Sequence, residues 1–287
     1  MKSSLLHSYA VTVAAATFIL IIAGGLVTST GSGLSVPDWP LSYGGLFPPM
    51  IGGIRFEHTH RLIAGLVGIL TFALSIGLYL NDTRTWVKAM ALTASFGIVL
   101  QAILGGLTVK YLLPTIVSVL HACLAQTFFC LVAVLALVTS REWAEAPVFE
   151  SEEASSLHRL LGVTTIFVYF QLIAGAWVRH SSGRGLAVHF VLAFLILLHV
   201  LLALSKTSRF ETGRPKLQWQ VFFLGILVMM QLFLGLGAFV LTQRIPPDQA
   251  GLAKVILTTA HQANGALILM TCVVLTMRSY RFYKWIR

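Results

Sequence analysis

Gln101-Ala-Ile-Leu-Gly105, with His121 beyond it, is written a second time as Gln231-Leu-Phe-Leu-Gly235, with His261 beyond it. The same register sets Ile22-Ala-Gly-Gly-Leu-Val27 against Ile173-Ala-Gly-Ala-Trp-Val178, and Gly31-Ser-Gly-Leu-Ser-Val36 against Gly183-Arg-Gly-Leu-Ala-Val188. It also sets His60-Arg-Leu-Ile-Ala64 against His189-Phe-Val-Leu-Ala193. Self-similarity of this kind marks an internal duplication, and each copy carries one pair of histidines near the start of long apolar runs.

Apolar stretches recur at residues 10–22, 60–80, 89–109, 115–138, 160–178, 189–205, 220–242 and 257–277. Each is near the roughly 20 residues that carry a helix across a bilayer. The chain is 57% apolar and only 10% charged, which excludes an ordinary soluble domain. The sequence therefore predicts an all-α integral membrane protein, with eight transmembrane helices arranged as two parallel four-helix-bundle repeats. The repeats are residues 1–140 and 158–287, joined by an acidic linker at 141–157 that holds Glu142, Glu145, Glu150, Glu152 and Glu153. Lys2 ahead of an apolar run resembles a signal peptide, but the copy of that run in the fifth span predicts that it is retained.

The net charge of +10 is a topological signal and does not imply nucleic acid. With the N-terminus cytoplasmic, thirteen of the 20 basic residues fall on inner segments and seven on outer ones. Both termini are then expected inside by the positive-inside rule, in a plasma membrane, with all four repeat histidines toward the outer face. Cys123, Cys130 and Cys272 lie within spans and read as small apolar residues, with no structural disulfide expected. The absence of Cys-x-x-Cys-His argues against covalent haem attachment.

Neutral imidazole on a helix is a common ligand for haem iron, and two on facing helices can take both axial positions. A lone membrane histidine is ordinarily a hydrogen-bonded packing residue; repetition at equivalent places shifts the reading to ligation. His60 with His121 makes one expected site, and His189 with His261 the other. His199 falls opposite Leu70 in the register and reads as structural. His7 and His158 match each other at the inner ends of spans and read as packing residues. His58 faces the lid or solvent, and His180 sits beside Arg179 and Arg184, where propionates can be received or the charges simply stay in water. Gln101 and Gln231, polar groups in apolar helices, need partners on a neighbouring helix or a cofactor. Paired small residues (Gly24 and Gly25, Gly105 and Gly106, Gly175 and Ala176, Gly235 and Gly237) suit a flat ligand or close helix packing equally well.

The halves differ in their outer loops. Residues 37–59, rich in proline and glycine, are an insertion in the first half, with Trp39, Tyr43, Phe47 and Phe56 suited to capping an opening. In the second half the insertion comes later, around Arg244-Ile-Pro-Pro-Asp248. Glu57, three residues before His60, has Leu186 as its counterpart, and a carboxylate at the membrane edge is costly enough to suggest a task.

Gly24-Gly-Leu-Val-Thr-Ser-Thr-Gly-Ser-Gly-Leu-Ser-Val-Pro-Asp-Trp-Pro40, followed by Glu57-His-Thr-His-Arg-Leu-Ile-Ala64, resembles the haem A synthase family over nearly the whole chain. The resemblance implies an eight-helix enzyme that oxidises the C8 methyl of haem O to a formyl group, for terminal oxidases. It implies Glu57 as the functional carboxylate, His60 and His121 as ligands of the substrate haem, and His189 and His261 as ligands of a haem b cofactor, with Arg61 at the cofactor. A haem O-producing enzyme and an electron donor or acceptor, unidentified, are the implied partners. Some family members carry a cysteine pair where this chain has Val36 and Ser42, so it resembles the cysteine-free branch. The residues alone also admit a b-type cytochrome electron carrier or a haem-handling protein, neither of which would need the Glu57 asymmetry.

Overall fold

The computed structural model describes residues 2–150, 152–208, 215–245 and 247–284. Eight of its helices are long and apolar enough to cross a membrane. In chain order the elements are α1 (Lys2–Ser29), α2 (Ile54–Asn81), α3 (Thr85–Lys110), α4 (Thr115–Val138), a short α5 (Arg141–Glu145), β1 (Phe149–Glu150), α6 (Ala154–His180), α7 (Leu186–Ser208), α8 (Pro215–Gln243), α9 (Pro247–Phe282) and β2 (Tyr283–Lys284). The eight-span, all-α expectation is met. The helices run past the apolar stretches read from the sequence because backbone N–H and C=O groups in lipid must be bonded within the helix. α1 ends in a Schellman motif at Gly31 (φ 68°), where Ser32 N–H donates to Val27 O at 2.9 Å and Gly31 N–H to Thr28 O at 3.2 Å. In α9 a second break falls at Gly251 (φ 42°), and the membrane-crossing part follows it.

The chain divides into two compact units, residues 1–139 with 234–263 and residues 140–233 with 264–287. The first break coincides with the expected end of the first repeat. The C-terminal part of α8 and the N-terminal part of α9, within residues 234–263, however, belong to the first unit.

In the first unit α1 packs on α2, α2 on α3, α3 on α4, and α4 back on α1, a closed ring of four helices. Phe18 and Phe129 stack across the α1–α4 seam with ring centroids 5.7 Å apart. Ser75 Oγ donates to Ala91 O at 2.7 Å across the α2–α3 seam. Thr17 and Thr71 are buried and satisfy their hydroxyls on their own helices, at Val13 O (2.8 Å) and Val67 O (2.7 Å). At the α2–α3 turn, Arg84 pairs with Asp82 at 2.7 Å and donates to the last carbonyl of α4, Val138 O, at 3.0 Å. A guanidinium there satisfies an orphan acceptor at a helix C-terminus and complements its dipole.

In the second unit α6 packs on α7. The acidic segment, expected as a solvated linker, is more ordered than that. Glu142 accepts from Arg278 at 2.6 Å, Glu153 lies 3.6 Å from Lys206, and β1 pairs in parallel with β2 (Phe149 with Tyr283). Part of the expected linker is already helix, since α6 begins at Ala154. Cys123, Cys130 and Cys272 are buried, and none of them is in a disulfide. Arg209, Arg214 and Arg287, which count toward the charge asymmetry, lie outside the described residues, as does Pro246 of the second-half insertion.

Candidate functional site

The four repeat histidines share one local geometry. A Cβ placed on Gly24 would lie 3.1 Å from Cε1 of His60, and one on Gly105 would lie 3.2 Å from Cε1 of His121. For Gly175 and His189 the distance is 3.0 Å, and for Gly235 and His261 it is again 3.0 Å. Each imidazole therefore packs, Cε1 nearest, against a glycine of the preceding spanning helix, α1 to α2, α3 to α4, α6 to α7 and α8 to α9. Only glycine admits an approach this close. All four side chains are half-buried, with their Nδ1 atoms buried. His60, His121 and His261 belong to the first unit and His189 to the second.

One turn before each glycine stands a second recurring position: Leu20, Gln101, Gln171 and Gln231. Residues four apart on a helix share a face, so a glutamine here meets the same neighbour as the glycine. Gln101 Nε2 donates to His121 O at 3.1 Å and lies 3.5 Å from His121 Nε2. Gln171 Nε2 lies 3.3 Å from His189 Nε2. Gln231 Oε1 accepts from Asn264 Nδ2 at 2.7 Å, and the same amide group donates to Leu227 O at 2.9 Å. Helix-to-helix bonding thus answers the question of partners for Gln101 and Gln231. Gln171 escaped the sequence reading because the twofold register pairs it with Leu20. The spacing Gln-x-x-x-Gly in three helices was the available signal.

These features fit a haem. The donor set is imidazole, glycine leaves room beside each ring, and His60 Nδ1, Gln101 Oε1 and Gln171 Oε1 are buried without a hydrogen-bond partner. Such groups are ordinarily satisfied, and an intended ligand is one reason for leaving them open.

The first-half loop is built as tightly as the helices. Glu57 is 3% exposed; its Oε2 accepts from Val36 N–H at 2.8 Å and its Oε1 from Arg61 Nη2 at 2.6 Å. Arg61 also donates to Asp38 O (2.6 Å), Leu41 O (2.7 Å) and Val36 O (3.2 Å). Two residues one turn apart on α2 therefore grip the loop by its backbone. Asp38, in turn, accepts from the N–H groups of Tyr43 (2.7 Å) and Gly44 (2.8 Å), which hold its carboxyl below the usual carboxylate range. Both turn residues have positive φ (54° and 74°), the conformation of a type I′ turn, closed by Gly45 N–H to Ser42 O at 3.2 Å and reinforced by Ser42 N–H to Gly45 O at 3.0 Å. Tyr43 donates its hydroxyl to Ser35 O at 2.7 Å. His58, expected toward lid or solvent, faces the lid: it is buried, with Nδ1 2.9 Å from Ser42 Oγ. Trp39 reaches α3, where its indole lies 2.8–3.0 Å from the position a Cβ on Gly106 would take.

The other histidines are structural in geometry. His7 Nδ1 lies 2.9 Å from Ala136 O, and His158 Nε2 lies 2.9 Å from Ser279 O, equivalent ties from the N-terminal parts of α1 and α6. His199 bonds its own helix at Leu195 O (2.9 Å) and meets Phe167 edge-on. Arg179 and His180 end α6 and are half-buried there.

Fold and site together define an eight-span helical membrane protein that sets repeated imidazoles against glycines and braces its first-half loop on α2. The family model described as cytochrome oxidase assembly protein matches residues 7–52 and 54–187, and the chain belongs to that family. It is 31% identical over 175 residues to the heme A synthase of Bacillus pumilus, covering 58% of this chain and 55% of that one. With the heme A synthase of Bacillus licheniformis the identity is 30% over 175 residues, covering 58% and 56%. With that of Alkalihalophilus pseudofirmus it is 28% over 183 residues, covering 62% and 61%. The chain spans about half the length of the curated relatives it matches. The resemblance to haem A synthases is borne out, and both stretches that carry it lie within the matched residues. His60 and His121 are inside the match; His189 and His261 lie beyond it.

Proposed function

We propose that this chain is a haem A synthase, which oxidises the C8 methyl of haem O to a formyl group in the outer half of the plasma membrane, with both termini cytoplasmic. The methyl is hydroxylated twice. Each time this occurs either with the oxygen of water and loss of two electrons and two protons to the redox partner, or with one oxygen of dioxygen and uptake of two electrons and two protons that release the other as water. The resulting geminal diol loses water to give the aldehyde. The observation that carries the reading is an asymmetry within a repeat. Both halves set imidazoles across glycines, but only the first half adds the Glu57–Arg61 pair and its braced loop. Leu186 and Phe190 stand at the second-half positions.

His60 and His121 are the proposed ligands of the substrate haem, each ring kept in place by Gly24 or Gly105. His189 and His261 are the proposed ligands of a resident haem b, a pairing that rests on the sequence repeat. A haem so held supplies one-electron transfer. Of the two tasks open to Glu57, orienting the site or exchanging protons, its bonding favours orientation, since both carboxylate oxygens are already engaged. Arg61 serves the cofactor side by fixing the loop above it. The buried Glu57 carboxylate keeps the first-half site polar, while a prenylated substrate enters from the bilayer. A haem O-producing enzyme supplies the substrate, and a redox partner exchanges electrons with the haem sites.

The test is co-expression of the chain with a haem O-producing enzyme, followed by extraction and mass analysis of membrane haems. Haem A or its hydroxylated precursor is expected with the intact chain, and haem O or its alcohol with Glu57→Ala. Unchanged haem O beside haem b, in a folded haem-loaded protein, would overturn the reading in favour of an electron carrier.

A further inference from the structure

The most heavily braced feature of the loop has no partner in the repeat and no part yet in the chemistry. Trp39 is held on both sides. The carbonyl of the residue before it, Asp38, accepts from Arg61 at 2.6 Å, and that of Leu41, two residues on, accepts from the same Nη1 at 2.7 Å. The Asp38 carboxylate pins the following turn at Tyr43 and Gly44. This scaffold delivers one indole onto Gly106, the residue after the Gly105 that lies against His121. Gly106 is itself buried, yet Trp39 remains 48% exposed with its other edge uncovered. A large aromatic ring half seated in a glycine notch, next to a candidate axial histidine, is placed to meet a flat ligand.

We propose that Trp39 is a substrate-positioning residue, whose indole on Gly106 forms a wall against which the tetrapyrrole is held beside His121, and that Arg61 and Glu57 act through it by fixing the loop. This rests on the haem O reading above. It gives the charged pair a task that explains its geometry: a free proton carrier would not have both oxygens bonded, whereas a brace must. Holding the macrocycle still matters because an error of about 1 Å in the reacting group can cost on the order of 100-fold in rate.

The experiment compares the purified full chain with Trp39→Ala, Trp39→Phe and Gly106→Ala, reading haem O affinity by optical titration together with KM, kcat and the alcohol-to-aldehyde product ratio. Gly106→Ala keeps the indole but displaces it, because the new Cβ would stand 2.8 Å from Cδ2. It therefore decides the matter even if Trp39→Ala fails to accumulate. Trp39→Ala and Gly106→Ala are expected to weaken haem O binding about tenfold, the scale of one lost aromatic contact, and to release more alcohol. Trp39→Phe recovers most of the affinity, and the haem b spectrum is unchanged in all three. Affinity, KM and product ratio all within twofold of the parent in Trp39→Ala, or in Gly106→Ala should the first not accumulate, would overturn the inference alone. A parent chain that neither binds nor converts haem O overturns the functional reading and this inference with it.

Discussion

The imidazole of His60 lies across Gly24 so closely that a single added methyl would stand 3.1 Å from its Cε1 atom. The contact joins two helices and fixes the plane of the ring. The same relationship recurs at the three other repeat histidines, which makes it a designed approach rather than one tight spot.

Gly24→Ala and Gly105→Ala should therefore act as ligand-displacing variants. The added Cβ forces the ring to rotate or the helices to part, at about 1–3 kcal/mol of overpacking. The larger effect falls on haem, with affinity at the first-half site expected to drop about 10- to 100-fold, as when a ligand loses its orienting contact. Haem content per chain and the low-spin optical spectrum measure it. Gly65→Ala and Gly68→Ala are the controls, since a Cβ there meets nothing within 4 Å. They should keep haem and gain about 0.5–1 kcal/mol in thermal stability from helix propensity.

Arg61→Ala should release the outer loop. It removes four donor contacts at once and leaves the Glu57 carboxylate, 3% exposed, with the Val36 N–H alone. Breaking one side of a buried pair costs about 3–5 kcal/mol. Limited proteolysis within residues 36–47 should accelerate sharply, along with a lower melting temperature. Arg61→Lys should not rescue it, because one ammonium cannot span three carbonyls and a carboxylate in the way a planar guanidinium does. Loop cleavage at the parental rate in Arg61→Ala would refute this bracing.

The helices were far more legible than the loop. Eight apolar stretches gave eight spans, and the twofold register picked out His60, His121, His189 and His261, because membrane helices are specified locally by length and hydropathy. The cost of a carboxylate at the membrane edge singles out Glu57, and the spacing places it on one face with His60, but its ion pair to Arg61 at i+4 is visible only in the structure. Arg61 is expected at the cofactor from the resemblance alone, and its bonds to three loop carbonyls are ones that no spacing rule reveals. The turn at Ser42–Gly45 needs positive φ at Tyr43, which a sequence gives little reason to expect outside Gly or Asn. Trp39 was noticed only as a cap; its seat at Gly106 is a tertiary fact. The second unit shows the same limit: Glu145, Glu150 and Glu152 are exposed in keeping with a solvated linker, but the pairing of Glu142 with Arg278 is a tertiary contact that spacing does not reveal.

The loop should also carry a pH signature. Tyr43 and Gly44 N–H groups lower the Asp38 pKa below its ordinary 3.8. A depressed carboxylate contributes stability that is complete above the unfolded value and is lost as pH falls through the folded one. Loop protection from acid protease should thus hold steady down to about pH 4 and fail below it. In Asp38→Asn the loop should be cleaved faster across the whole range, with no acid step. A parental profile that breaks well above pH 5 would assign the transition to another group.

Gln171 separates the haem-free protein from the loaded one. Its Oε1 is buried without a partner while its Nε2 lies 3.3 Å from His189 Nε2. An orphaned buried acceptor costs about 1–3 kcal/mol, against about 0.5–1.5 kcal/mol for a typical hydrogen bond, and the 3.3 Å contact is a long one. The penalty wins in the absence of haem, so Gln171→Leu should raise the melting temperature of the haem-free chain. The substitution copies the first half, where Leu20 already holds the equivalent place beside Gly24. With haem bound the order should reverse: the amide steadies the ligand histidine, and Gln171→Leu should lose haem faster and shift its midpoint potential. Melting curves with and without haem, together with a redox titration, decide the point. A variant less stable in both states would mean that Gln171 is packing alone, and that the recurring glutamine belongs to the helices rather than to what they hold.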